Sequence, residues 1–217
     1  MARKNHRSPE AAKEAILDAA EAIMVDVGPA GLRMSAVAKK AGMAHPNIIH
    51  HFGSREGLLN ALANRVGERA TERITQAIDE ALNAPEQDRV SAITKVLETS
   101  YQGDEGKAAV WLHLSGAESS LRSNMQQIVE LSHQLRAAVD PSASKHNTNR
   151  LVLLITLALV GEVVSGDSIK GALGFNDNQQ GRAHFKQWLA EILLTLKDHQ
   201  LDTSLNPDKS IIQEDGE

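Results

Sequence analysis

The chain of 217 residues contains no cysteine. This absence excludes disulfide frameworks, cysteine-ligated zinc or iron–sulfur sites, and cysteine nucleophiles. Aromatic residues make up only 3% of the sequence, which argues against a strand-rich fold because strands favour aromatic and β-branched side chains. Hydrophobic residues nevertheless reach 41%. This fraction is too high for a disordered chain and is enough for a sizeable core.

Long hydrophobic runs are also missing. The longest apolar stretch, residues 151–164, is interrupted by Thr156, Gly161 and Glu162 and is shorter than the ~20 apolar residues that a bilayer requires. The first ten residues are polar and basic, without the apolar segment of a secretory signal. We therefore expect no membrane partner, a cytoplasmic location, and a buried helix over the apolar stretch.

Charge is distributed unevenly along the chain. The net charge is −5, but the first sixty residues carry eight Lys and Arg against six Asp and Glu, while the remainder carries fifteen against twenty-two. A mildly basic N-terminal segment therefore precedes a larger acidic one, and the negative total does not exclude a nucleic-acid partner for the first segment.

The hydrophobic pattern is helical throughout, which predicts an all-α fold. Apolar residues recur every three or four positions, and Ser8-Pro9, Gly42 and Ser54 provide signals for helix ends. We predict a helix-turn-helix domain over residues 1–60, linked by a long helix to about residue 82. A helical domain follows over 61–200, with an irregular connection at 166–180, and residues 201–217 form a disordered tail.

Residues 31–59 have the sequence GLRMSAVAKKAGMAHPNIIHHFGSREGLL. It predicts two short helices joined by a tight turn at Gly42–Ala44, the helix-turn-helix arrangement that offers its second helix to the DNA major groove. The predicted core of this motif is Val37, Ala38, Met43, Ile48 and Phe52.

The segment resembles the DNA-binding domain of the TetR (tetracycline-repressor) family of bacterial transcription regulators. The resemblance rests on a dozen positions in order and spacing, namely Gly31-Leu32, Val37-Ala38, Ala41–Ala44, Asn47–Ile49, His51-Phe52, Ser54–Glu56 and Leu58. It implies a three-helix DNA-binding domain followed by a C-terminal helical domain for ligand binding and dimerisation. The implied function is a homodimeric repressor that a small molecule releases from its double-stranded DNA operator.

We expect eight residues to contact DNA: Arg33, Ser35, His45, Pro46, Asn47, His50, His51 and Arg55. Asn47 is the best candidate for reading a base, because its amide can pair with adenine through two hydrogen bonds. The chain departs from the family at Ile49, where a phosphate-contacting Tyr is usual, and at Arg33, where Thr or Ser is frequent. Phosphate contact would then pass to His50, His51 or Arg55.

The effector site is expected in the middle helices, where the family usually encloses a ligand. Candidate lining residues are Trp111, His113, Met125 and His133, around a cavity of ~300–1,000 Å³ if the ligand is drug-sized. The alternative is that Trp111 and Met125 are ordinary core residues and the two histidines lie at the surface. The last two long helices are expected to pair with their copies in the dimer, with Leu193 as an example of a partner-facing position.

Other functions leave weaker signals. The spacing of His45, His50 and His51 does not suit a metal site, and no cofactor motif or catalytic constellation is present, so we expect neither a cofactor nor an enzyme. A helical enzyme or a protein-binding adaptor without DNA binding remains the alternative. The basic residues Arg3, Lys4 and Arg7 are either a minor-groove arm or a solvated terminus.

Overall fold

The structure is a computed structural model that describes residues 8–116, 121–175, 178–198 and Leu201. The predicted basic arm at Arg3, Lys4 and Arg7 lies outside the described residues. So does the predicted tail at 201–217, except for Leu201, which is helical. Within the described ranges the chain is helical, which confirms the all-α prediction. The helices are α1 (Pro9–Val27), α2 (Met34–Ala41), α3 (His45–Phe52), α4 (Arg55–Leu82), α5 (Arg89–Thr99), α6 (Gly103–Leu114), α7 (Leu121–Val139), α8 (Lys145–Ala172) and α9 (Asn178–Thr195).

Three predicted helix ends are confirmed by their hydrogen bonds. The Ser8 hydroxyl accepts from the Ala11 amide at 3.1 Å at the start of α1, and the Ser54 hydroxyl accepts from the Gly57 amide at 3.1 Å at the start of α4. Gly42 ends α2 in the left-handed conformation, with φ 66° and ψ 34°. These local signals work because a helix end leaves unpaired backbone groups that short polar side chains and left-handed residues can satisfy.

The chain divides into two compact units. The first unit contains Met1–Arg73 and Ser100–Gln126, and the second contains Ile74–Thr99 and Gln127–Glu217. The first unit therefore extends past residue 60 and includes α6. Its core is continuous, with Ile16, Ile48 and Leu62 fully buried and Ala108 of α6 also fully buried among them.

An arginine ladder on α4 ties α1 and α6 together within the first unit. Arg65 contacts Asp18 at 2.7 Å and Glu21 at 2.5 Å on α1, and Arg69 joins Glu21, at 2.6 Å, to Glu105 of α6, at 3.3 Å. Burial opposes the charge on Arg65, but its hydrogen bonds to Asp18 and Glu14 raise its pKa above the ordinary value. The ladder joins α1, α4 and α6 of the unit that contains the helix-turn-helix motif.

The predicted irregular connection at 166–180 is wrong at both ends, because α8 continues to Ala172 and α9 begins at Asn178; residues 173–175 lie between helices as predicted. Gly166 is buried in this extended helix, where glycine costs about 1 kcal/mol relative to alanine. Contacts offset that cost: Lys170 forms an ion pair with Glu162 at 2.8 Å, and its ammonium lies 5.6 Å from the centre of the Phe185 ring.

The expectation that the apolar stretch 151–164 is buried holds for only part of its surface. Leu151 and Leu159 are buried, but Leu153, Leu157 and Val164 are 58%, 61% and 52% exposed. Leu154, Leu157, Gly161 and Val164 follow one another at intervals of three, four and three residues, which places them on one helix face. The second unit does not supply enough surface to cover that face, hereafter the α8 apolar face (Leu153, Leu154, Leu157, Gly161 and Val164).

Helix α8 is also long and apolar enough to satisfy a membrane-span criterion based on length and composition, with a mean hydropathy of 1.8. Only 17% of that segment is buried inside the chain. The interruption of the apolar stretch is therefore not sufficient by itself to exclude a span. A single such helix is weak support for one, since soluble proteins also contain apolar helices.

Candidate nucleic-acid interface

The motif consists of α2, a tight turn and α3. Gly42 turns the chain out of α2, and the Met43 amide donates to the Ala38 carbonyl at 3.0 Å to close the turn. Val37, Ala38 and Ile48 are 0%, 4% and 0% exposed. Met43 and Phe52 pack against them, so the predicted core of the motif is confirmed. Ile48 anchors α3 and thereby determines which of its side chains face outward.

The outward face of α3 carries the predicted DNA-reading residues. His45, Pro46, Asn47 and His50 are all exposed. Pro46 lies in the first turn of α3, where the lack of an amide hydrogen costs no helical hydrogen bond. The Asn47 side chain, which carries both a donor and an acceptor, is therefore presented on a short rigid helix with Ile48 as its anchor.

Ile49 and His51, also on α3, differ from these four residues in polarity or in exposure. Ile49 is 46% exposed, so the position where the family usually has Tyr is on the surface but has no hydrogen-bonding group. His51 is half-buried, and its ring lies between those of His50 and Phe52, with centroids 5.5 and 6.3 Å away. His51 is consequently less accessible than His50.

Helix α2 presents further polar groups at its start and along one face. Arg33 and Ser35 are exposed. Arg33 stands at the N-cap of α2 without a side-chain capping bond, which agrees with arginine's lack of an acceptor for that role. Lys39, one turn after Ser35, is exposed on the same face. Lys39 is not among the residues predicted to contact DNA, although its four-residue spacing from Ser35 is a detectable signal.

Arg55 is placed differently from the other predicted contacts. Its Nε donates to the Leu32 carbonyl at 3.0 Å, and its Nη2 donates to the Pro29 carbonyl at 2.7 Å. Two of the five guanidinium hydrogens are thus committed to the backbone between α1 and α2. Arg33, by contrast, makes no side-chain hydrogen bond or ion pair within the described part of the chain.

The four predicted effector residues are distributed over both units. Trp111 is 38% exposed, with its ring 4.0 Å from the position a Gly28 Cβ would take. His113 is exposed and Met125 half-buried in the same unit. His133 belongs to the second unit, where its Nδ1 lies 3.1 Å from the Thr148 hydroxyl.

The second unit contains a cavity of about 110 Å³. Its walls are mostly aliphatic side chains of α4, α5, α7, α8 and α9, among them Ile78, Leu97, Leu135 and Leu193. None of the four predicted effector residues lines it, and Leu193 lines it rather than the exposed side of α9. On that helix the large exposed side chain is Trp188, which is 55% exposed.

One end of this cavity is polar. Arg136 donates to the Thr148 hydroxyl at 2.8 Å and to Asp198 at 2.5 Å, and Asp198 also accepts from the Ser144 amide at 2.5 Å. Burial alone would raise the pKa of Asp198, but the Ser144 amide and the Arg136 guanidinium lower it from 3.8 to about 2. We call these four residues the α7–α9 latch: Arg136 on α7, Ser144 and Thr148 at the start of α8, and Asp198 just after the end of α9.

No cluster of three or more histidine, aspartate and glutamate side chains suited to a metal ion occurs in the described ranges. His50 and His51 are neighbours, but their rings meet edge to face. What the interface presents is amide, imidazole, hydroxyl and cationic groups on α2 and α3, which are the groups that contact base edges and phosphates.

Comparison with known proteins agrees with this geometry. Residues 16–62 match the model of the family described as bacterial regulatory proteins, tetR family. That range covers most of α1, all of α2 and α3, and the first part of α4. None of the curated proteins compared with the chain matches it.

Solved structures share the fold over most of their length. A protein assigned to the TetR-family transcriptional regulators, from Mesorhizobium loti, is 12% identical, with 87% of this chain and 98% of that chain covered and a TM-score of 0.66. The multidrug binding protein EbrR complexed with imidazole is 20% identical, with 87% and 97% covered and a TM-score of 0.59. EbrR complexed with malachite green is 20% identical, with 85% and 98% covered and a TM-score of 0.55.

These identities show a shared fold, and the family match identifies the N-terminal domain. Residues 16–62 match the model of the tetR family of bacterial regulatory proteins, and the chain shares its fold with solved structures described as TetR-family transcriptional regulators.

Proposed function

We propose that this protein is a dimeric transcriptional repressor that a small molecule releases from its DNA operator. The observation that carries the DNA-binding part is α3, an exposed polar helix anchored by the fully buried Ile48. A short helix held in this way can enter a major groove without losing its own packing.

Asn47 is the residue we assign to base reading. Its exposed amide can donate to and accept from one adenine edge, while His45 and His50 approach neighbouring bases. The exposed cations Arg33 and Lys39, together with Ser35, are assigned to phosphates. Such contacts fix the register of the protein on DNA but carry little sequence information.

The partner for the α8 apolar face is a second copy of this chain. Helix α8 presents leucine and valine side chains over several turns, and α9 adds the exposed Trp188. Two copies pairing through these helices form a four-helix bundle that covers both faces by symmetry. The two α3 helices of such a dimer would enter successive major grooves ~34–36 Å apart. A cytoplasmic location follows from this assignment of α8 to a protein interface rather than to a membrane.

The aliphatic cavity of the second unit is the proposed effector site, in place of the four residues that the sequence favoured. At about 110 Å³ it is smaller than the ~300–1,000 Å³ of drug-sized sites. It suits a compact, uncharged, largely apolar molecule, because its walls are mostly aliphatic and the lining residue Arg136 is already paired with Asp198. EbrR, which shares the fold, is a multidrug binding protein.

Release from the operator requires the effector to favour a conformation that binds DNA less well. An effector that weakens DNA binding tenfold must itself bind tenfold more weakly to the DNA-bound protein. The Trp111 prediction stays open beside this proposal: a Trp111→Ala variant with an unchanged response to the effector would remove Trp111 from the effector site.

The test of DNA binding is a mobility-shift titration against fragments from the protein's own genomic neighbourhood. The Asn47→Ala variant is expected to bind the specific site ~1–3 kcal/mol more weakly and to discriminate less at one base position. Asn83→Ala, at an exposed asparagine just after α4, is the matched control and should bind as the wild type does.

Salt dependence separates the remaining alternatives. A regulator that neutralises phosphates loses affinity steeply as salt rises. A protein-binding adaptor or a helical enzyme would show no specific, salt-sensitive complex with any duplex, and that result would refute the proposed function.

A further inference from the structure

We infer that Arg55 is a positioning residue that sets the geometry of the DNA-reading motif, rather than a phosphate contact. The inference rests on the proposed function, because its consequence is measured as operator binding. Arg55 is the first residue of α4, and its guanidinium reaches back to the backbone that connects α1 to α2.

The two accepting carbonyls belong to a segment with little freedom. It starts at Gly28, with φ 70°, and continues through a short 3₁₀ turn at Pro29–Gly31. A Cβ on Gly31 would lie 2.1 Å from the Val27 side chain, so the backbone passes close to the end of α1. Leu32 is fully buried.

The next residue along the chain is Arg33, the N-cap of α2. The Leu32 and Pro29 carbonyls that Arg55 binds are therefore one and four residues away from a proposed phosphate contact. Arg55 therefore links the start of α4, which follows α3 in the chain, to the start of α2, which precedes α3. Without these two hydrogen bonds, the angle at which Arg33 and α2 enter the interface is no longer fixed by α4.

The chemistry of the two carbonyls favours arginine over lysine. A guanidinium offers donors from Nε and Nη2 in one rigid plane, so it can bond two carbonyls at once, and these charge-assisted bonds are among the stronger ones. Lysine keeps the positive charge but presents a single nitrogen on a flexible stem. Replacing arginine by lysine therefore separates the role of the positive charge from the role of the fork, that is, of the two coplanar donors Nε and Nη2.

The experiment compares paired substitutions at Arg55 and Arg33 in the full-length protein. Arg55→Lys and Arg55→Gln are both expected to lower affinity for the specific site by at least about tenfold, since both lose the fork. The affinity of Arg55→Lys for an unrelated duplex should equal that of the wild type. At Arg33 the charge decides the result: Arg33→Lys should keep the wild-type salt slope, and Arg33→Gln should lower the slope by about 0.9 for each phosphate that the variant no longer neutralises.

Hydrogen–deuterium exchange on the same samples gives a reading that does not depend on DNA. Both Arg55 variants should exchange faster at residues 29–33, while the amides around the buried Val37 and Ile48 keep their wild-type rates. Both Arg33 variants should leave the exchange at residues 29–33 unchanged.

Two results would overturn the assignment. One is an Arg55→Lys variant that binds the operator like the wild type while Arg55→Gln binds with a reduced salt slope, which would identify a phosphate contact. The other is unchanged exchange at residues 29–33 in both Arg55 variants. If the wild type itself binds no duplex, the proposed function fails, and the exchange measurement still decides whether Arg55 holds this backbone.

Discussion

The two units of the chain expose opposite kinds of surface. The first unit has a closed core, with Ile16, Ile48 and Leu62 fully buried, and the outward face of α2 and α3 is mainly polar. The second unit leaves Leu153 and Leu157 more than half exposed on α8. The difference suggests that the first unit is complete as a folded body and acts through polar contacts, whereas the second requires a partner to cover its apolar surface.

The largest expected effect is the loss of dimerisation on placing a charge on the α8 apolar face. Leu157→Glu would bury two like charges near a symmetry axis, so we expect the dimer dissociation constant to rise more than ~100-fold, about 3 kcal/mol. Sedimentation over a range of protein concentrations measures this change.

The matched control is Leu114→Glu, at a leucine of α6 that is 56% exposed in the first unit. It should leave the dimer intact. A wild-type protein that sediments as a monomer at micromolar concentration would contradict the claim that the second unit requires a partner. So would an equal loss of dimerisation in Leu157→Glu and Leu114→Glu.

The next effect concerns the α7–α9 latch. Asp198→Asn removes the partner of the mostly buried Arg136 and is expected to cost about 3 kcal/mol of folding free energy. The pKa of Asp198 is lower in the folded protein than its ordinary value of 3.8, at about 2. Its contribution is therefore complete above about pH 4 and is lost as the pH falls towards 2.

Denaturant titrations at several pH values test this account of the latch. The stability difference between wild type and Asp198→Asn should be constant from neutral pH down to about pH 4 and should shrink below it. A difference that stays constant down to pH 2.5 would contradict the assigned role of the Asp198 carboxylate.

The arginine ladder of the first unit gives a somewhat smaller effect. Arg65→Gln leaves Glu21, whose side chain is only 15% exposed, without one of its two cations, and we expect a loss of about 2 kcal/mol. The control is Arg89→Gln, which removes an i,i+3 pair with the exposed Glu86 at 3.7 Å and should cost less than ~0.5 kcal/mol. Equal unfolding midpoints for the two variants would show that the arginine ladder contributes no more to the folding free energy than an exposed ion pair does.

The smallest effect is a gain. Ile49 is 46% exposed on α3, at the position where TetR-family proteins usually have a phosphate-contacting Tyr. Ile49→Tyr should strengthen operator binding by about 1 kcal/mol, the typical value of one hydrogen bond. Ile49→Phe, which adds a ring without a hydroxyl, is the control in the same binding assay. An equal gain in operator affinity from Ile49→Tyr and Ile49→Phe would assign the effect to the aromatic ring rather than to a hydrogen bond from the hydroxyl.

Those parts of the structure that depend on neighbouring residues could be predicted from the sequence. The Ser8 and Ser54 caps, the left-handed Gly42 and the buried Ile48 each follow from residues within about one helical turn. A dozen positions within the compact motif also predicted the family whose model matches residues 16–62.

Features that depend on distant residues could not be predicted in this way. The bonds from Arg55 to Leu32 and Pro29 span more than twenty positions, and Arg65 pairs with α1 from α4. The end of α8 was predicted too early for a similar reason. The pairing of Glu162 with Lys170 and the burial of Gly166 outweigh glycine's poor helix propensity, so the helix continues past residue 166. The cavity of the second unit leaves no signal in the sequence, because its lining comes from five helices and no single helix shows that pattern.

The central claim is that two chains, joined through α8, place two α3 helices on one operator. Its most direct test is the stoichiometry of the complex with the operator duplex, measured by analytical ultracentrifugation, in wild type and in Leu157→Glu. We predict an even number of wild-type chains per duplex, bound to half-sites ~10 base pairs or a multiple apart, and at least a hundredfold weaker binding by Leu157→Glu. A single wild-type chain bound tightly to a non-repeated site, with Leu157→Glu equally tight, would contradict the account.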